Sequence, residues 1–209
     1  MRVRPITPEL LVTELADRVE ALGRWPRVAV DGAAQAGTAE LADALVEPLR
    51  LRGREVVRVR ATDYLRPASL RLEHGHQDPD AYYEQWFDLD GLRREVLHPL
   101  AEGGGGKVLP ALWDPEVDRS PRLDRVALTE RGLVVVDGPL LLGAGLPFEF
   151  TVHLWLPGRA LERQAPDAER WKVPAFERYS QEVGPERLAD HLVRNDRPGH
   201  PAVVDSLDG

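Results

Sequence analysis

VAVDGAAQAGTAEL, residues Val28 to Leu41, contains a strand, a loop and the start of a helix in direct succession. The valine-rich run Arg27 to Asp31 has the short, continuous apolar character of a strand buried on both faces. Gly32 ends it, and a loop bounded by Gly32 and Gly37 follows. From Thr38 to Leu51, Leu41, Leu45, Val46 and Leu49 then share one helical face. After Gly53, Glu55 to Arg60, EVVRVR, reads as a second strand. Parallel neighbours need a crossover long enough to hold a helix, so strand, loop, helix, strand is the unit of a parallel sheet.

Outward from this unit, Thr7 and Pro8 read as an N-cap and first helical position for an amphipathic helix carrying Leu11, Leu15 and Val19 and ending near Gly23. Ala81 to Trp86 and Leu89 to Leu100 read as helices, the second begun by Asp88 or Asp90, and Gly103 to Gly106 as a turn. Lys107 to Leu109 and Val126 to Leu128 are read as a small hairpin. Leu133 to Asp137, LVVVD, is apolar enough to be a central strand, and Thr151 to Leu156 is another. Pro174 to Val183 and Pro185 to His191 read as proline-opened helices, and Asp205 to Gly209 as a loose tail. The expected architecture is one α/β domain over residues 1–209, a mainly parallel sheet with helices on both faces. Its parts are an N-terminal helix in 1–24, the main body in 27–196 and a tail in 197–209.

With 209 residues, 43% hydrophobic and 30% charged, the chain has material for a sizeable core. A net charge of -8 gives no electrostatic reason to expect a nucleic acid on its surface. The absence of cysteine excludes disulfides, thiolate metal sites and cysteine nucleophiles. No run approaches the ~20 apolar residues of a membrane span, and the N-terminus carries charges at helical spacing, so the sequence predicts a cytoplasmic protein without membrane contact. His74 and His76 have an H-x-H spacing but no third ligand, and no metal site is predicted.

The loop also tests a chemical pattern. In G-x-x-x-x-G-K-[ST], backbone N–H groups wrap phosphates, the lysine neutralises charge and the hydroxyl holds magnesium. Here the cradle Gly32, Ala33, Ala34, Gln35, Ala36, Gly37 keeps both glycines, but Thr38 stands at the lysine position and Ala39 at the hydroxyl position. Glu40 adds negative charge beside them. Loss of such a charge donor costs on the order of 3 kcal/mol, or about 10² to 10³ in rate.

Five further segments follow in an order that resembles the uridine kinase family, from about Arg27 to Asp196. They are TDYLRP (Thr62 to Pro67), DAYYEQWFDLDGLRR (Asp80 to Arg94), LVVVDG (Leu133 to Gly138), PAFERY (Pro174 to Tyr179) and ADHLVRND (Ala189 to Asp196). The resemblance implies a P-loop nucleoside kinase fold using ATP and Mg²⁺, which this loop is expected to bind weakly or not at all. It places the family's general base at Thr62, with Asp63 one residue late. On an extended segment that shift turns the carboxylate to the other face unless the loop compensates.

The same resemblance implies substrate contacts for Arg66, Tyr83, Asp88, Trp113 and Asp114. Asp88 fits equally an N-cap for the next helix, and Trp113 fits equally a residue packed under its loop. Asp118 stands where the family reads its base with a histidine, so pyrimidine specificity does not carry over. Asp137 is the acid that helps organise magnesium, and Arg163 and Arg170 are what remains of an arginine-bearing lid, shortened here. Three functional expectations follow. The first is a relative with impaired or lost kinase activity that keeps a nucleoside, nucleotide or anion pocket. The second is an active small-molecule kinase with a different phosphate grip, and the third is a non-catalytic partner protein, as a homodimer.

Overall fold

The computed structural model describes residues 2–197 and 199–206. Strand β1 (Arg2–Pro5) precedes helix α1 (Pro8–Glu20), which Thr7 caps by accepting the Leu10 N–H at 3.2 Å. Strand β2 (Arg27–Asp31) enters the glycine loop, helix α2 spans Thr38–Leu51, and β3 spans Glu55–Arg60. Short helices α3 (Ala68–Arg71), α4 (Pro79–Gln85) and α5 (Leu89–Leu92) follow. Strands β4 (Lys107–Val108) and β5 (Val126–Ala127) form the expected antiparallel hairpin. Then come β6 (Gly132–Gly138), β7 (Phe150–Trp155), α6 (Gly158–Gln164), α7 (Val173–Glu182), α8 (Pro185–Leu188), β8 (His191–Arg194) and β9 (Ala202–Ser206).

Among the described residues the main sheet has seven strands in the order β1-β9-β8-β7-β2-β6-β3. β3, β6, β2, β7 and β8 are mutually parallel, as the crossover helices require. Every residue of β6 is buried, which explains its unbroken apolar run. Side chains alternate between two cores. Val28 and Val30 meet Leu15 and Val19 of α1 and Leu45 and Leu49 of α2, whereas Ala29, Val134 and Val136 meet Leu92, Leu97 and Tyr179 on the opposite face.

Three expectations are corrected. The helix read over Leu89 to Leu100 is α5 followed by a π-helical turn (Arg93–Leu97) and a 3-10 turn (His98–Leu100). Pro99 has no N–H for the carbonyl of Glu95, and that carbonyl accepts from Leu109 at 3.1 Å instead. The helix read over Pro185 to His191 stops at Leu188, because His191 already pairs with Val152 in the sheet. The tail contributes β9, with Val203 buried against β8, and β1 covers its outer edge antiparallel; residues 207–209 of the tail lie outside the described residues.

Candidate functional site

The parallel strands bring the glycine loop, Asp137 and the residues after β3 to one edge of the sheet, where their C-terminal ends meet a topological switch between β2 and its neighbours. Gly32 has φ +145°, and a Cβ there would meet the Leu154 carbonyl oxygen at 2.8 Å, so glycine is required. Ala34–Ala36 form a 3-10 turn, with the N–H groups of Ala36 and Gly37 donating to the carbonyls of Ala33 and Ala34 at 2.9 Å each. Those two amides are thereby spent inside the loop. Gly37 is left-handed (φ +84°), and α2 begins at Thr38, which is buried with its methyl group facing Gly32. Asn195 donates to the Ala36 carbonyl at 2.8 Å, and Gln35 donates to Glu169 at 2.8 Å.

Asp137, at the end of β6, is only 5% exposed. Arg58 of β3 reaches across to it, with Nε donating to Oδ1 at 3.0 Å; Nη2 lies 3.0 Å from the same oxygen without a well-directed hydrogen bond. The same guanidinium pairs with Asp43 of α2. Burial pushes the Asp137 carboxyl above its ordinary range, and the charge of Arg58 opposes the shift. A permanent cation thus sits on the acid that the resemblance assigns to magnesium. Ala39 supplies no oxygen ligand, so these residues do not fit the ion.

Thr62 and Asp63 lie in a 3-10 turn (Ala61–Tyr64), not on an extended segment. Successive side chains there are about 120° apart rather than on opposite faces. Thr62 lines a cavity of about 140 Å³ with Ala34, Gln35, Pro139, Glu169 and Lys172. Asp63 is half-buried; desolvation raises its carboxyl, while Arg60 and Arg58 pull the other way. Its carbonyl accepts the N–H groups of Leu112 and Trp113 at 2.9 Å each, anchoring the following loop beside it.

The remaining site residues are dispersed among local contacts. Asp88 is an N-cap, accepting from the Gly91 N–H at 2.8 Å. Trp113 is half-buried and donates from Nε1 to Asp118 at 3.0 Å; Asp118 also accepts the Ala68 N–H at 2.8 Å, so it pins two loops together. Asp114 turns its own loop by accepting the Glu116 N–H at 2.9 Å. Tyr83 faces α7, with the Arg178 guanidinium 4.5 Å over its ring. Arg66 makes no ion pair among the described residues. Arg163 bonds the Arg159 carbonyl and Arg170 pairs with Asp167; both are exposed and neither bonds the loop. His74 and His76 are exposed, and no group of three or more metal-ligating side chains occurs among the described residues.

The turn Asp167–Lys172 meets the loop through residues the sequence reading passed over. Glu169 receives Gln35 and pairs with Lys172 at 2.8 Å, and Lys172 chiefly, by hydrogen bonding, holds its carboxyl below the usual range. Lys172 also lies over the Tyr82 ring at 5.4 Å. One signal was available: Lys107 and Lys172 are the only lysines in an otherwise arginine-rich chain.

No protein-family model and no curated protein matches the sequence. Solved structures do match. A protein described as a possible uridine kinase from Bacillus stearothermophilus aligns with a TM-score of 0.70 at 20% identity, over 87% of this chain and 96% of that one. The chain has the fold of uridine-kinase-like P-loop proteins. A protein described as a fructose transport system kinase from Silicibacter sp. TM1040 aligns with a TM-score of 0.57 at 20% identity, over 84% and 89%. The YGR205w protein aligns at 0.53 with 10% identity, over 96% and 100%. No helix among the described residues is long and apolar enough to cross a membrane.

Proposed function

We propose that this chain is a uridine-kinase-like protein in which phosphate transfer from ATP is impaired or lost, and which keeps a pocket for a nucleoside, nucleotide or anion at the loop edge. The observation that carries this reading is the ion pair between Arg58 and Asp137. Phosphoryl transfer in P-loop enzymes depends on a lysine and a magnesium ion to neutralise charge on the β- and γ-phosphates. Thr38 and Ala39 remove the first and one ligand of the second, and Arg58 takes the acid that remains. Two cavities border the loop, one of about 140 Å³ beside Thr62 and Lys172, and one of about 450 Å³ lined by Gln35, Gly37, Glu40 and Asn195, which lies within the usual range of about 300 Å³ upward.

Calorimetry with ATP·Mg²⁺ and a labelled-ATP transfer assay across the nucleosides test the proposal. The unmodified protein should show neither micromolar magnesium-dependent affinity nor transfer to uridine or cytidine. Thr38→Lys with Ala39→Ser should restore nucleotide binding before activity, and Thr62→Asp should be needed in addition for proton removal from the sugar hydroxyl. Robust transfer by the unmodified chain would refute it. That outcome would favour an active kinase with a different phosphate grip, for which Lys172 beside Gln35 and Thr62 is the specific support.

A further inference from the structure

Separate parts of the chain meet around the cavity beside Thr62. The glycine loop contributes Gln35, the segment after β6 Pro139, α4 Tyr82, and the turn Asp167–Lys172 both Glu169 and Lys172. At about 140 Å³ the cavity lies below the about 300 Å³ at which sites for larger small molecules begin. It equals roughly five times the ~30 Å³ share of a liquid water, which is room for a tetrahedral oxyanion.

Among the described residues that line it, Lys172 is the only cation and Glu169 the only carboxylate, and each is the other's partner. Glu169 is engaged through both oxygens: Oε1 accepts from Lys172 Nζ and Oε2 from Gln35 Nε2, each at 2.8 Å. The first contact is local, at i and i+3; the second joins residues 134 positions apart and ties the turn to the glycine loop. An ordinary surface pair needs no such second donor. Lys172 Nζ also lies 5.4 Å over the Tyr82 ring and 5.7 Å over the Trp171 ring, which holds the ammonium at the cavity wall. Lys172, chiefly by its hydrogen bond, and then Gln35 hold the Glu169 carboxyl below its usual range against the opposing effect of burial, so it is an anion at neutral pH. An ammonium and a side-chain amide are the donors an oxyanion at this loop would use, and both are occupied by the chain's own carboxylate.

We infer that Glu169 is a built-in competitor that closes this site: a tetrahedral oxyanion, phosphate or sulfate, binds at the loop by displacing the Glu169 carboxylate from Lys172 and Gln35. The inference rests on the reading of the loop edge as an anion pocket and adds how that pocket is regulated. Lys172 then supplies the charge that Thr38, at the lysine position of the loop, does not. With Glu169 in place the pair is neutral and offers an incoming anion no net attraction; with its charge removed, one uncompensated cation faces the cavity. A carboxylate tethered three residues from its lysine competes at an effective concentration on the order of millimolar or more, so the closed form should resist phosphate up to that range.

The test is a calorimetric titration of the full chain with inorganic phosphate, in magnesium-free buffer at constant ionic strength. Glu169→Gln keeps the shape and removes the charge of a side chain that is 38% exposed, so it should fold, and Glu169→Ala is a second variant with the same expectation. Either should bind phosphate at least tenfold more tightly than the unmodified protein, with sulfate competing. Adding Lys172→Met to Glu169→Gln should abolish the gain. In ¹⁵N-labelled Glu169→Gln, phosphate should move the side-chain amide signal of Gln35, assigned through Gln35→Ala. Equal affinity in the unmodified and Glu169 variants, a gain that survives Lys172→Met, or an unmoved Gln35 amide at saturating phosphate would overturn the inference. No phosphoryl group is transferred in this titration, so such a result would remove Glu169 as the competitor while the reading of impaired kinase activity still answers to the labelled-ATP assay.

Discussion

Replacing Arg58 by leucine removes the cation shared by Asp137 and Asp43 while keeping an apolar stem between β3 and α2. The two partners are unequal: the Asp137 side chain is 6% exposed and that of Asp43 67%. Losing one member of a buried pair strands the other charge at about 3–5 kcal/mol, whereas the exposed carboxylate contributes within the surface range of about 0–1 kcal/mol. For a domain of this size about 1 kcal/mol moves Tm by roughly 2–4 °C, so a fall of roughly 6–20 °C is expected. Asp137→Asn beside Arg58→Leu removes the stranded charge, and the double-mutant cycle should return a coupling of about 2–3 kcal/mol. Protonation offers the same relief. The stranded carboxyl, already raised by burial, rises further without Arg58, so the folded variant gains a proton as pH falls, and its deficit should shrink between about pH 7.5 and about pH 5.5. Urea unfolding of the four proteins at both pH values measures all of this. A loss under about 1 kcal/mol with additive single effects would refute the reasoning, since Asp137 would then be free to serve a metal.

His191 predicts a second pH dependence. It is buried, its Nε2 has no partner among the described residues, and desolvation, with Arg18 adding to it, lowers its pKa below the ordinary 6.5. Below 6.5 the unfolded chain binds a proton that the folded one resists, so stability falls with pH from neutrality, at most by about 1.4 kcal/mol per pH unit for one proton. The urea midpoint of His191→Leu should lose this slope between about pH 7 and about pH 5; an unchanged slope would assign it to other groups. Gly32→Ala forces a side chain into a positive-φ position against the Leu154 carbonyl and should cost about 1–3 kcal/mol in thermal unfolding. Gly23→Ala, where a Cβ meets nothing within 4 Å, should stay within about 0.5 kcal/mol; equal effects would show that the loop is not strained there.

The amino-acid sequence by itself determined the features whose physics is local. The apolar runs at Arg27, Leu133 and Thr151 are parallel strands, the first two because burial on both faces leaves no other use for them, and the mixed run at Glu55 joins them as the edge strand beside β6. Thr7 and Asp88 cap the helices they precede, since a cap needs only a short side chain and an orphan N–H three residues on. Elsewhere local pattern was insufficient. β1 and β9 are short and charged or mixed; β1 becomes a strand by pairing with β9 from the opposite end of the chain, and β9 by pairing with β1 and β8. Asp63 lies in a 3-10 turn after β3, and its carbonyl accepts the N–H groups of Leu112 and Trp113 from a distant loop. Arg58 on Asp137, Glu169 on Gln35 and Asp31 on His153 join residues 79, 134 and 122 positions apart. No spacing rule encodes such pairs. They exist because sheet register and crossover packing bring those side chains within hydrogen-bond reach, and only the tertiary structure sets that distance.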